Sequence, residues 1–232
     1  MPYNRGRAKR QPEPHERPWV FAGATSLAAL AGFVNVVVLG FFHLPVSHMT
    51  GAVSRLSVDI AARDLASLRI VFSMVACFLL GAAISGTIIG GRKLMPGRRY
   101  GVAMMVEGGL LGASTVLLRG NLTVGLSLAA MACGVQNAMA SSYYGLVIRT
   151  THLTGIITDI GVMMGHWLRH RRIRLWQLML LTSILTGFFI GGIAGAVAFS
   201  TIGATALAAA SVVCFTAGSV YYVWRTVLAK RT

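Results

Sequence analysis

Six apolar runs account for most of this chain: Pro18 to Phe42, Leu68 to Gly91, Tyr100 to Leu118, Leu122 to Tyr144, Leu175 to Phe199 and Ile202 to Val223. Each is near the length that carries a helix across a hydrocarbon core of about 30 Å. The alternating ten-residue pattern of an outer-membrane barrel is absent from them, so strands are not a serious alternative. Hydrophobic residues make up 55% of the sequence and charged residues 12%, against roughly 25% charged in an average soluble domain. Little of the 232 residues is left for a soluble domain.

A second constraint is internal duplication. Gly32-Phe33-Val34-Asn35 is matched by Gly134-Val135-Gln136-Asn137, and Ser47-His48-Met49-Thr50-Gly51 by Thr151-His152-Leu153-Thr154-Gly155. The Gly-x-x-Asn pairs are 102 positions apart and the His-x-Thr-Gly pairs 104, so each half is one structural unit used twice. Residues 18–118 form the first repeat and 119–232 the second. Three spans per repeat is an odd number, so a repeat that starts inside is followed by one that starts outside. The expected fold is an all-α integral membrane protein with six spans in two inverted three-helix repeats, an arrangement many secondary transporters use. Each repeat carries a short amphipathic helix after its first span, one in His43 to Ser67 and one following Thr154. Whether these segments, 49–64 and 153–168, are interfacial, re-entrant or spanning is left open by their pattern.

The net charge of +15 sits in four clusters: the tail (Arg5, Arg7, Lys9, Arg10, Arg17), Arg92 to Arg99, Arg169 to Arg174, and Arg225 to Arg231. Six spans with a cytoplasmic start put all four on the cytoplasmic side, as the positive-inside rule requires. The charge therefore reports topology and attraction to anionic lipid, and nucleic acid is not an expected partner. Both termini are expected in the cytoplasm of a bacterial inner-membrane protein. Residues 1–17, basic and proline-containing, read as a disordered cytoplasmic tail. Cleavage after Ala29-Leu30-Ala31 as a signal peptide is not expected, because the apolar run continues to Phe42. Cys77, Cys133 and Cys214 lie singly in apolar runs with no metal-ligand spacing. No metal and no cofactor is expected.

Asn35, Gln136 and Asn137 offer amides that lipid cannot satisfy, and His48, Thr50, His152 and Thr154 stand where an interrupted helix would line a cavity. These seven are the expected substrate contacts. Glu107, near the middle of the third run, is the one carboxylate well inside any of the six. A charge there costs at least about 2.5–3.5 kcal/mol, so it faces a cavity or a partner. Glu107 is read as a coupling or gating group, with Arg55 and Asp159, which the Thr-Gly alignment places at equivalent sites. A structural hydrogen bond is the competing reading of Glu107, and an Arg55–Asp59 pair on an interfacial helix that of Arg55. Gly86-x-x-x-Gly90 and Gly191-x-x-x-Gly195 are expected helix-packing seams, either between the halves or across a homodimer.

These motifs resemble the YoaK-like bacterial inner-membrane proteins, a domain-of-unknown-function group described as small-molecule transporters, over nearly the whole chain after the tail. The second-half motifs look typical of that family. In the first half, Asn35 stands where the family usually has an acidic residue, and Ala52 follows Thr50-Gly51 where it has Asn. The resemblance implies a transporter class without naming a substrate. The leading expectation is a secondary transporter of a small polar or amphipathic solute by alternating access. A non-transporting assembly or regulatory subunit is the alternative, and a membrane-embedded enzyme ranks below it, since no Walker, His-Glu-x-x-His or Gly-x-Ser-x-Gly motif is present.

Overall fold

The computed structural model describes residues 18–43, 45–90, 97–141, 150–171 and 173–229. The tail expected at 1–17, and Arg92, Lys93, Ser142, Tyr143, Tyr144, Arg172, Lys230 and Arg231, lie outside the described residues. Within them the regular structure is helical throughout: α1 (Pro18–Phe42), α2 (Met49–Ala61), α3 (Leu65–Ile89), α4 (Arg99–Leu117), α5 (Leu122–Ser141), α6 (Leu153–His170), α7 (Leu175–Ile202) and α8 (Ala206–Ala229). Five helical stretches among the described residues are long and apolar enough to cross a membrane. Four are α1, α3, α4 and α5; the fifth runs from Leu175 to Leu228, 54 residues through α7 and α8. At 1.5 Å per residue that is about 80 Å, well over twice a hydrocarbon core. It is interrupted by a tight turn at Gly203–Thr205, where Gly203 takes φ +59, a left-handed conformation that glycine adopts without a Cβ penalty.

Local chemistry explains the ends. Pro18 opens α1, where its missing N–H is no loss. Asp64 caps α3, accepting 3.1 Å hydrogen bonds from the N–H groups of Ala66 and Ser67. The hydrogen bonds with Ser67, then that from Ala66, hold its carboxyl below the usual carboxylate range. Arg63, at φ 56, turns the sharp corner between α2 and α3.

Close backbone approach at small residues decides how the long helices pair. A methyl added to Gly191 or Gly32 would overlap the carbonyls of Ala29 and Phe188, locking α1 against α7. In the same way Gly81 meets the Met131 carbonyl and Gly134 the Phe78 carbonyl, locking α3 against α5. Gly187, Gly191 and Gly195 lie on Thr25, Ala29 and Phe33, each four residues on from the last, so α1 and α7 run parallel. α4 crosses α8 in the opposite sense, with Gly101 on Gly218 and Gly108 on Ser211. In lipid, where apolar surface gives helices no reason to associate, such seams carry the packing.

The two expected seams differ within the chain: Gly191 and Gly195 lie against α1, whereas a side chain at Gly86 would meet nothing within 4 Å, and Gly90 is the C-cap residue of α3 at φ 72. Within the chain the contact runs through Gly81, while Ser85 is fully buried. Outward faces of α3, α7 and α8 present Phe72, Leu79, Phe189, Ile193, Val212 and Val220, each at least half exposed. So much exposed apolar surface suits contact with lipid.

The two short helices differ from a simple amphipathic pattern. On α2 the stripe is half turned outward, with Val53 and Ile60 exposed and Met49 and Leu56 half-buried, and the buried positions are Ala52 and Asp59. On α6, Ile156 packs with Val20, Ala24, Ala28, Leu180 and Ile184 at the beginnings of α1 and α7.

Gly191→Ala is expected to destabilise the protein in detergent by roughly 1–3 kcal/mol through overpacking. Gly86→Ala, at an exposed position inside α3, should leave stability unchanged or raise it by up to about 1 kcal/mol. Thermal unfolding of both variants measures the difference, and equal effects would remove the Gly81 register.

Candidate functional site

The duplicated motif builds the same hydrogen-bonded joint twice. Asn35, 8% exposed on α1, accepts a 2.8 Å bond from the Ser47 hydroxyl and a 3.2 Å bond from the Ser47 N–H. Asn137, on α5, accepts from the Thr151 hydroxyl at 3.2 Å. Each asparagine thus ties a long helix to the residue before the N-cap histidine of a short one, His48 for α2 and His152 for α6. Neither histidine side chain caps its helix. Each imidazole instead lies over its first turn, where a methyl at Gly51 would come within 3.2 Å of His48 Nδ1 and one at Gly155 would overlap the His152 ring. The His-x-Thr-Gly spacing therefore makes room for the ring.

These seven residues do not converge. Asn35 lies beyond the middle of α1, among neighbours that pack with Leu111, Leu126 and Leu207. Gln136 and Asn137 lie at the other end of the bundle, where Gln136, 1% exposed, donates a 3.1 Å bond to the Leu27 carbonyl of α1. His48, Thr50, His152 and Thr154 are exposed at the starts of α2 and α6. Arg55 pairs with Asp59 at 2.7 Å, the two side chains 50% and 2% exposed, as expected of residues four apart on a helix. Asp159 is exposed on α6 and does not repeat that buried pair.

Glu107 is sealed in the bundle at 2% exposure, and its Oε2 has no hydrogen-bond partner. The Cys214 thiol faces its carboxyl, and Cys133 is within electrostatic reach. Cys214 also lines a cavity of about 240 Å³ between α1, α4, α5 and α8. From α1 come Gly23, Ser26, Leu27 and Leu30; from α4, Tyr100 and Met104; from α5, Met139; and from α8, Val213, Ala217 and Tyr221 beside Cys214. Its walls are almost wholly apolar, so it suits a ligand with an apolar body. Leu27 and Leu30 belong to the first half of α1, Tyr100 and Met104 to the start of α4, and Met139 and Tyr221 to the later parts of α5 and α8. The cavity is thus at one end of the bundle, and Val37, Val38, Leu118, Leu126, Ala206 and Leu207 fill the other.

α8, which carries no motif in the sequence, supplies one wall of this cavity. Its residues are ordinary apolar side chains, distinguished by where α1 and α8 stand apart rather than by type.

A family model described as "Protein of unknown function (DUF1275)" matches residues 23–220. Among curated proteins and among solved structures, nothing matches.

The asparagine joints predict a thermodynamic coupling between Asn35 and Ser47. A double-mutant cycle of Asn35→Ala with Ser47→Ala should give about 0.5–1.5 kcal/mol in unfolding measurements. A value indistinguishable from zero would mean that the joint does not hold α2.

Proposed function

We propose that this chain, which belongs to the DUF1275 family of proteins of unknown function, is a secondary transporter that moves a small amphipathic solute by alternating access. The observation that carries the reading is a broken symmetry. Adding 102 to residues of α1, and 110 to those of α3 and α4, carries one half's seams onto the other's. Gly32 on Phe188 and Gly192 has Gly134 on Phe78 and Ala82 as its counterpart; Gly191 on Ala29 has Gly81 on Met131. Gly101 on Gly218 has Gly108 on Ser211. This register supports two inverted repeats of three spans, with the stretch Leu175 to Leu228 counted as two spans reversing at Gly203, and six in all. The motif resemblance to YoaK-like transporters points the same way.

Under that exchange the counterpart of α4 against α5 is α8 against α1. α4 and α5 pack closely: the Ser114 hydroxyl donates a 2.8 Å bond to the Gly125 carbonyl, and Leu118 covers Gly125. Where α1 and α8 should do the same, the cavity opens. A bundle open at one end and plugged at the symmetric position has the form of one state of an alternating-access cycle, in which rocking of the halves would exchange open and closed ends.

The described Arg98, Arg99, Arg169, Arg171, Arg174 and Arg225 gather at the cavity end, which favours a cytoplasmic opening. In this reading the joints at Asn35 and Asn137 keep α2 and α6 attached to α1 and α5 while the bundle rocks, and substrate is held by the apolar walls. His48, Thr50, His152 and Thr154, exposed at the starts of α2 and α6, would meet solute before entry, and Arg55 and Asp159 would act as gating groups.

The test is accessibility in proteoliposomes, using protein whose three cysteines are replaced by alanine and a membrane-impermeant maleimide. Leu27→Cys should label from the side carrying Arg98 and Arg99. Ala129→Cys, its symmetry counterpart and buried at 0% exposure, should label from the opposite side. An Ala129→Cys that stays unreactive from both sides would favour a static assembly subunit instead.

A further inference from the structure

We infer that the transported solute carries a positive charge on an apolar body, and that Glu107 receives this charge when the bundle opens at its other end. The inference rests on the transporter reading. Its basis is the register just given, applied to the cavity walls. Leu27 and Leu30 of α1 correspond to Ala129 and Ala132 of α5. Ala217 and Tyr221 of α8 correspond to Glu107 and Leu111 of α4.

Glu107, Leu111, Ala129 and Ala132 are all buried, at 2%, 0%, 0% and 1% exposure. They therefore line the closed partner of the open cavity, and parting α4 from α5 would expose them together. The two cavities would share an outline and differ in charge: Ala217 on one wall, a carboxylate on the other. In the closed form Glu107 Oε2 has no hydrogen-bond partner. A carboxyl oxygen without a partner in a dry core is costly, and a cation brought against it supplies that partner and offsets part of the cost. An apolar pocket with one acidic group selects a cation with apolar substituents over neutral or anionic analogues of the same shape. The Tyr221 wall of the open cavity adds an aromatic surface on which such a cation can rest.

Tetraphenylphosphonium and tetraphenylborate, nearly identical in shape and opposite in charge, provide the test. Labelling of Ala129→Cys by the impermeant maleimide is measured in proteoliposomes with each ion, on backgrounds carrying Glu107, Glu107→Gln or Glu107→Asp. The expected result is that the cation slows labelling by about tenfold and the anion does not, with the protection lost in Glu107→Gln and kept in Glu107→Asp. Equal effects of the two ions on the Glu107 protein, including no effect of either, overturn the inference whether or not Glu107→Gln folds. Protection by the cation that survives in Glu107→Gln overturns it as well. Labelling without ions separates the two readings: if Ala129→Cys reacts from the face opposite to Leu27→Cys and the ions are not distinguished, the charge assignment alone fails. If Ala129→Cys never reacts, the transporter reading fails with it.

Discussion

Backbone-to-backbone contact at a few small residues is what the rest of this molecule depends on. Lipid is as apolar as leucine, so burying leucine between two helices gains little there. Close approach of main chains gains dispersion and keeps helices in fixed register. Gly191 on Ala29 and Gly81 on Met131 make α1–α7 and α3–α5 into two rigid parallel pairs. The crossing of α4 on α8 lies between these pairs, again through Gly101, Gly108 and Gly218. Bulky residues are left to fill one end, where Leu111, Leu118, Leu126 and Leu207 meet. The other end has its own smaller sets, Val20, Ala24, Leu180 and Ile184 in one and Ile89, Tyr100, Val135 and Met139 in another, and the cavity lies beside them.

The fold was legible where it depended on period and length. Runs of about 20 apolar residues give long helices, and the two copies of Gly-x-x-Asn followed by His-x-Thr-Gly mark duplicated joints that the structure builds twice with the same hydrogen bonds. Chemistry was less legible because polar residues in lipid serve packing as readily as ligands. Asn35, Asn137 and Gln136 have the composition of a binding site, yet each spends its amide on a hydrogen bond within the chain. The residues around the cavity are mostly small or apolar, among them leucine, methionine, tyrosine and alanine, which no pattern separates from core. Gly86 and Gly81 could not be ranked by spacing alone, since only the facing helix decides which glycine is approached. Glu107 stands out in the sequence as a carboxylate in the middle of an apolar run, and the fold buries it, but which of its two readings holds does not follow from burial.

The rigid pairs and the unequal ends belong to one mechanical account. If α1 and α7 move as one body and α3 and α5 as another, the surfaces that can change are α1 against α8 and α4 against α5. In the proposed repeat arrangement these are equivalent surfaces, and one borders the cavity while the other is packed. Glu107 faces Cys214, which lines the cavity, so the proposed exchange of the two ends would change the surroundings of its carboxyl.

The most direct measurement of that account is the distance across both ends in the same protein, by double electron–electron resonance in nanodiscs. One spin-label pair would join the start of α1 at Trp19 to α8 at Val223, and a second the end of α4 at Val116 to the start of α5 at Val124, all exposed positions. The account predicts two populations for each pair, with conditions that lengthen one pair shortening the other. A single unchanging distance for both pairs, across pH and added solutes, would contradict it.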